Sequence, residues 1–347
     1  MNNETRELFN AYVDEIAKLN GVPDASKKFT VSPTIEQKLE KRVQESSGFL
    51  MNVNSYPVDE LSGEKIGISV GTTIASRTDT TQSDRIPNDP QALDSNLYEC
   101  KKTDFDTAIR YQTIDTWAKF KDFQTKLRDA IVEQQGRDRL MIGLNGTSAA
   151  ANTNRALNPL LQDVNIGWLK KLQLESAARY MDQGAAAGSV KVGPGGDYEN
   201  MDLLIYDMRS NLLAPWFARD NSFIAMCTSD LLDEKYFPLI ATHGTTPTES
   251  NELDKMLSAK KLGGLAVAEV PFFPARTVFI SRLGKNGGSN LSIYWQNGSR
   301  RRTIFDNAKR DRIENYESVN EAYVIEDLSA ACAAVNIKLP NGAGGWA

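Results

Sequence analysis

The chain has 347 residues, 41% hydrophobic and 24% charged, a globular composition that excludes wholesale disorder. Lys and Arg total 40 against 45 Asp and Glu, and the formal net charge of −5 argues against a dedicated nucleic-acid binder held by a basic face. Cys100, Cys227 and Cys332 form no zinc or redox spacing, and the one histidine, His243, leaves little room for histidine-based catalysis, so neither metal nor cofactor is expected. No apolar run reaches the ~18–20 residues of a membrane span. The polar start MNNETRE is no secretory signal, which leaves a soluble intracellular protein whose length favours two lobes.

The first 29 residues read as a small module. Leu8, Tyr12, Ile16 and Leu19 fall at helical spacing and Asn20-Gly21 supplies a stop. One short amphipathic helix is not stable alone in water, so it must dock on something. Val22 to Lys28 then reads as a polar, accessible stretch open to proteases. A second helix is expected from Thr34, whose spacing to Gln37 is that of a capping box, with Ile35, Leu39 and Val43 as its apolar stripe.

Gly63 to Tyr111 carries two alternating patterns, Ile66, Ile68, Val70 and then Phe105, Thr107, Ile109, Tyr111, which predict two strands. Thr72 to Asn96 between them is polar and Pro-containing. The pattern reads as a long hairpin with a polar tip, and such an arm must lean on a surface, its own or that of another subunit. A helix follows from about Ile114 to Gln135, with Gly136 interrupting it.

From Ala156 the pattern is α/β. Helices are expected around Trp168 to Leu172, after Asp197 with Met201, Leu204, Ile205, Met208 and Leu212 inward, from Asp230 to about Phe237, and around Leu253 to Leu257. Strands are expected at Phe223–Cys227, Leu265–Val270 and Thr277–Ser281. Leu291–Trp295, Asn297-Gly298 and Arg302–Phe305 then give a hairpin signal. Further strands are expected at Asp311–Tyr316, Ala322–Glu326 and Ala331–Leu339.

No chemical motif stands out. Gly193-Pro194-Gly195-Gly196 is a weak phosphate-loop candidate, since Tyr198 sits where the dinucleotide fingerprint has its last glycine. The cluster Arg300-Arg301-Arg302 with Lys309, Arg310 and Arg312 is interrupted by Asp306, Asp311 and Glu314. It reads as inter-subunit ion pairs or a solvated strand face sooner than as a nucleic-acid site.

The segments SKKFTVSP (26–33), QESSGFL (44–50), GEKIGI (63–68), SNLYEC (95–100), NPLLQDVNIGWL (158–169), GGDY (195–198), DEKYFP (233–238), NLSIY (290–294) and DRIENYESVNEAYVIED (311–327) occur in the order found in one family. Over nearly its whole length the chain resembles the major capsid proteins of P2-like tailed bacteriophages. The resemblance implies an α+β chain with the Hong Kong 97-like capsid fold. It divides into an N-terminal assembly extension (1–29), an N-arm (30–60), an E-loop hairpin (61–110) and a peripheral domain with the spine helix (111–155). An axial domain (156–285), returning peripheral strands (286–340) and a flexible tail (341–347) complete it.

It further implies removal of the extension between Phe29 and Thr30 by a maturation protease. Copies would form pentamers and hexamers of an icosahedral shell, assembled in the bacterial cytoplasm with an internal scaffolding protein and a portal at one vertex. The shell would enclose double-stranded DNA without sequence-specific binding or any membrane. Candidate contacts between copies are Ile66, Ile68, Val70, Phe105, Arg300, Arg301 and Arg302. Lys65, alone among lysines from Gly63 to Glu99, lies at the hairpin base, and no cross-link is assigned to it. The alternatives are a nucleotide-binding α/β enzyme using Gly193 to Tyr198, or a nucleic-acid-associated protein using Arg300 to Arg312.

Overall fold

The computed structural model describes residues 1–65, 75–82, 84–86, 97–117, 123–232, 260–285, 287–341 and 345–346. Helix α1 (Asn3–Asn20) starts on Asn2, whose side chain accepts from the Thr5 amide, and ends on Gly21 in the left-handed region at φ +66°. After strand β1 (Phe29–Thr30), helix α2 (Pro33–Glu45) begins at Ser32, so Thr34 lies inside the helix and the expected capping box does not form. Pro33 explains the earlier start, because its fixed φ and missing N–H suit the first helical position.

Strand β2 (Asn54–Val58) is followed by β3 (Ser62–Glu64), β4 (Leu97–Glu99), β5 (Lys101–Asp104) and β6 (Thr107–Arg110). Helices α3 (Tyr111–Trp117) and α4 (Phe123–Asn145) come next. The expected break at Gly136 is absent: α4 runs through it. A Cβ there would collide with the Ser46 hydroxyl and lie 3.3 Å from the Val43 carbonyl, so the glycine admits the last turn of α2.

The second half contains α5 (Trp168–Glu175), β7 (Tyr180–Met181), β8 (Val190–Lys191) and α6 (Met201–Asp207), which a π turn extends to Leu212. Strands β9 (Phe223–Cys227), β10 (Lys261–Leu262), β11 (Leu265–Glu269) and β12 (Val278–Arg282) follow. The last are β13 (Leu291–Gln296), β14 (Arg301–Asn307), β15 (Arg312–Ile325), β16 (Ala331–Ala334) and β17 (Ile337–Lys338). The two strands expected at 311–316 and 322–326 are thus one, of 14 residues.

That strand organises the first lobe. Ser318 lies opposite both Arg301 and Asp104, and Glu321 opposite both Trp295 and Lys101. β13 and β14 therefore follow one another along one edge of β15, while β5 and β6 line the other edge. The hairpin expected at Asn297-Gly298 is not formed: both flanking strands run antiparallel to β15 and do not pair with each other. A 14-residue partner offers room for two strands end to end, and that outweighs the local turn preference.

The second lobe is the sheet β10-β11-β9-β12-β16-β7. α6 packs Met201, Leu204, Ile205 and Met208 on one face of it, against Phe223, Ala225, Val278, Ile280 and Cys332. The other face (Met226, Phe279, Ala331, Ala333) meets Leu140, Leu144, Trp168 and Leu172, which also touch Ile293, Tyr323 and Ile325 of the first sheet. α4 and α5 are thus the shared layer between the lobes. Residues 331–334 pair with β12 in this second sheet, which corrects their assignment to the returning strands of the first lobe. The small side chains Ala331-Cys332-Ala333-Ala334, all buried, fit between two covered faces.

Candidate assembly and processing surfaces

Helix α2 lies against the helical side of the first sheet and turns Glu36, Glu40 and Val43 inward. Glu40 sits between two guanidiniums. Arg139 of α4 holds it through Nη1–Oε2 at 2.6 Å and Nη2–Oε1 at 2.9 Å, and Arg300 donates to its Oε1. Arg139 Nε reaches Glu321 Oε1 at 2.9 Å, Arg300 also pairs with Glu317, and Gln135 donates to Glu317 Oε2 at 3.3 Å. Glu36 accepts from the Gly298 amide at 2.9 Å. Glu36, Glu40, Arg139, Arg300 and Glu321 are each at most 3% exposed.

Burial alone would raise the Glu40 carboxyl, but Arg139 and Arg300 outweigh it and hold the group down to about 2. Burial pushes Glu36 and Glu321 the other way, upward. Glu40, Glu317 and Glu321 make three carboxylates against the two guanidiniums of Arg139 and Arg300. The cluster ties the arm helix, the long helix and the β14–β15 pair into one unit. The sequence signal for it was a helix stripe holding Glu36 and Glu40 four apart, beside a strand with Glu317 and Glu321 on one face.

This geometry narrows the contacts expected between copies. Arg300 is fully buried in its own subunit, and Phe105 packs on Trp295 and Val319 with Arg139 over its ring at 5.9 Å. Both belong to the core of their own subunit, which corrects the expectation that they contact a neighbour. Arg302 is half-buried, donating to Asn315 at 2.7 Å and to the Tyr12 hydroxyl at 3.4 Å, whereas Arg301 is exposed. Ile66, Ile68, Val70, most of the expected hairpin tip, His243 and the helix expected at 253–257 lie outside the described residues.

The base of the hairpin is described. β3 and β4 pair with Gly63 opposite Tyr98, and Tyr98 packs edge-on to Tyr294 at 5.1 Å. Lys65 is committed to Glu175 at 2.7 Å with its side chain 4% exposed.

The Phe29–Thr30 bond lies inside a paired strand: Phe29 is opposite Arg302, Thr30 opposite Arg301, and the Phe29 side chain is buried. In the stretch expected to be accessible, Pro23, Ser26, Lys27 and Lys28 are exposed, but it is pinned at Ala25, which is buried and whose carbonyl accepts from Ile304. α1 buries Ile16 and Ala17 and leaves Leu8 and Leu19 exposed, so the docking face is rotated from the expected stripe toward Phe9, Val13, Ile16 and Ala17.

Gly193 and Gly195 form a closed turn in which the Gly193 amide donates to the Tyr198 carbonyl, and a Cβ on Gly193 would collide with Pro340. Close packing of backbone on the C-terminal segment accounts for the glycine, and the nucleotide-loop alternative gains no support. Among the described residues no group of three or more His, Cys, Asp or Glu is placed to hold a metal ion, and no helix is long and apolar enough to cross a membrane.

Comparison with known proteins gives one consistent answer. The family described as phage major capsid protein, P2 family, matches residues 8–337. The chain is 44% identical over 348 residues to the capsid proteins of Escherichia phage P2, covering 98% of this chain and 96% of that one. It is 36% identical over 334 residues to the major capsid protein of Serratia phage KSP20, covering 94% of each. Among solved structures it is similar to a chain of the satellite phage P4 procapsid including size determination (Sid) protein. That match has a TM-score of 0.80 and 41% identity, and covers 98% of this chain and 99% of that one.

Proposed function

The chain belongs to the P2 family of phage major capsid proteins, a virion component whose copies associate into a shell; from that membership we propose how it builds one. Copies form pentamers and hexamers that close into an icosahedral head around double-stranded DNA. They assemble in the host cytoplasm with an internal scaffolding protein and a portal, and the role is structural, not catalytic. The observation that carries this reading is the full-length likeness, in sequence and in fold, to a chain of a procapsid.

Several features support it. Rings and closed shells join one patch of a subunit to a different patch of the next, and several weak contacts suffice when each subunit is held on many sides. The base of the expected hairpin is a pair of three-residue strands, β3 and β4, which suits an arm extended toward a neighbour. Exposed Arg301 and half-buried Arg302 are the remaining described candidates for a contact between copies. A net charge of −5 weakens the grip on DNA that has to be packed and later released. Residues 1–29 act during assembly and are removed between Phe29 and Thr30. Because that bond sits in a paired strand, the strand must open before a protease can reach it.

Expression with a scaffolding partner, followed by sedimentation and negative-stain microscopy, tests the reading. Shells or ring-shaped capsomers are expected, and a persistent monomer would count against it. Deleting Thr72 to Asn96 should leave a folded subunit that closes no shells. Mass spectrometry of DNA-filled heads should find a chain beginning at Thr30, and an intact Met1 there would rule out processing.

A further inference from the structure

The N-terminal segment is anchored through one face of its helix and through Ala25 and Phe29, and almost none of that engagement passes through the bond that joins it to the rest. Its helix fills a groove floored by Ile109, Ile114, Ile304 and Ile313, against which Phe9, Val13, Ile16 and Ala17 pack. Two carboxylates stand at the end of the groove that receives the start of the helix. Asp115 accepts from the Asn2 amide at 3.0 Å and lies 3.6 Å from the Met1 ammonium, while Asp306 holds Arg6 at 2.9 Å and accepts from the Tyr111 hydroxyl. Beyond the helix, Ala25 is fully buried, Ile304 donates to its carbonyl, and Phe29 pairs with β14. Apolar floor, charged rim and strand edge together specify an amphipathic helix with a cation in its first turn and a short extended tail.

We propose that this groove is a helix-receiving site that keeps residues 1–29 bound as a noncovalent ligand after the Phe29–Thr30 bond is cut, so that cutting and departure are separate steps. The inference rests on the processing reading for its place in assembly, but the groove itself does not.

Hydrolysis adds one water across the amide. The C–N bond breaks, Phe29 gains a carboxylate and Thr30 an ammonium. Both new ends lie in the strand that pairs with Arg301 and Arg302 of β14. The packing of α1, the Ile304 bond to the Ala25 carbonyl and the burial of Phe29 do not depend on the broken bond, so cutting leaves them in place. What is lost is the tether, whose effective concentration is of millimolar order, so retention after the cut requires a groove affinity tight enough to hold the segment at the ambient protein concentration.

The test uses the full chain with a site-specific protease sequence inserted between Phe29 and Thr30, which allows cutting whether or not the natural processing point is there. After digestion, size-exclusion chromatography with mass spectrometry should find the released segment co-eluting with the body at about ten micromolar protein. Exchange with a fluorescent synthetic peptide of residues 1–29 should report a Kd in the micromolar range or tighter. Ile16→Asp in that peptide should weaken binding more than tenfold. Arg6→Glu should weaken it by about two- to fivefold, with Asp306→Arg in the body restoring the loss. Elution of the body free of the segment, or equal binding of the wild-type and Ile16→Asp peptides, would overturn the proposal. Heads that keep Met1 would refute natural processing and leave this measurement standing, so the two failures are distinguishable.

Discussion

Glu40 and Arg139 meet end on, with both carboxylate oxygens taken by the two terminal nitrogens of one guanidinium at 2.6 and 2.9 Å, in a place almost closed to water. A pair so buried gains little over an apolar substitute, but losing one member strands the others. Arg139→Met would leave Glu40, Glu317 and Glu321 with Arg300 alone. We expect it to destabilise the subunit by about 3–5 kcal/mol in urea unfolding of the unassembled protein. Arg139→Lys should recover little, because an ammonium cannot serve two carboxylates in a planar fork.

The same cluster sets an acid limit. The Glu40 carboxyl is depressed from 4.5 to about 2, so its contribution is fully present above about pH 4.5 and is lost as pH falls through about 2. Glu321 is raised by burial, so its contribution has the opposite sign: complete below its unfolded value near 4.5 and lost as pH rises through its folded one. Unfolding free energy measured from pH 2 to 8 should therefore fall at the acid end in the wild type. Glu40→Gln should flatten that acid limb, and Glu321→Gln should flatten the decline on the side above pH 4.5.

Gly136 separates two effects. By helix propensity alone, Gly136→Ala in the interior of α4 should stabilise by about 1 kcal/mol. The Cβ would, however, meet the Ser46 hydroxyl, which is itself bonded to the Val43 carbonyl at 2.7 Å. We expect a net loss of about 1–2 kcal/mol, as overpacking usually costs. Adding Ser46→Gly should reverse much of it, and denaturant unfolding of the single and double variants measures the coupling.

Burial pushes the Cys100 and Cys227 thiols up to about 12, and Cys332 is raised by its complete burial as well. At pH 8 none should react with an aromatic disulfide reagent in the folded subunit, since the thiolate is the reactive species. All three should titrate once urea unfolds the chain. Fast labelling before unfolding would contradict the packing described for both lobes.

The elements of regular period were legible: the first helix with its Asn20-Gly21 stop, the strand Phe223–Cys227, and the helix that turns Met201, Leu204 and Ile205 inward. The family resemblance, too, lay in ordered local segments. Pairing was not legible, because a hydrogen-bonded edge is chosen among all strands at once. Asn297-Gly298 carries a hairpin signal, yet the strands beside it prefer one long partner, Arg312–Ile325.

Sequence alone determined a mixed α and β chain with a helical N-terminal segment, since periodicity is a property of neighbouring residues, and the resemblance of its ordered segments pointed to the capsid family. Only the tertiary structure decided that Arg300 and Phe105 turn inward, that Gly136 sits within a helix, and that Phe29–Thr30 is strand-paired. Those outcomes depend on which distant groups compensate a buried charge or fill a gap. Glu40, Arg139, Arg300 and Glu317 come from four separate stretches of chain, and nothing local to any of them announces the other three.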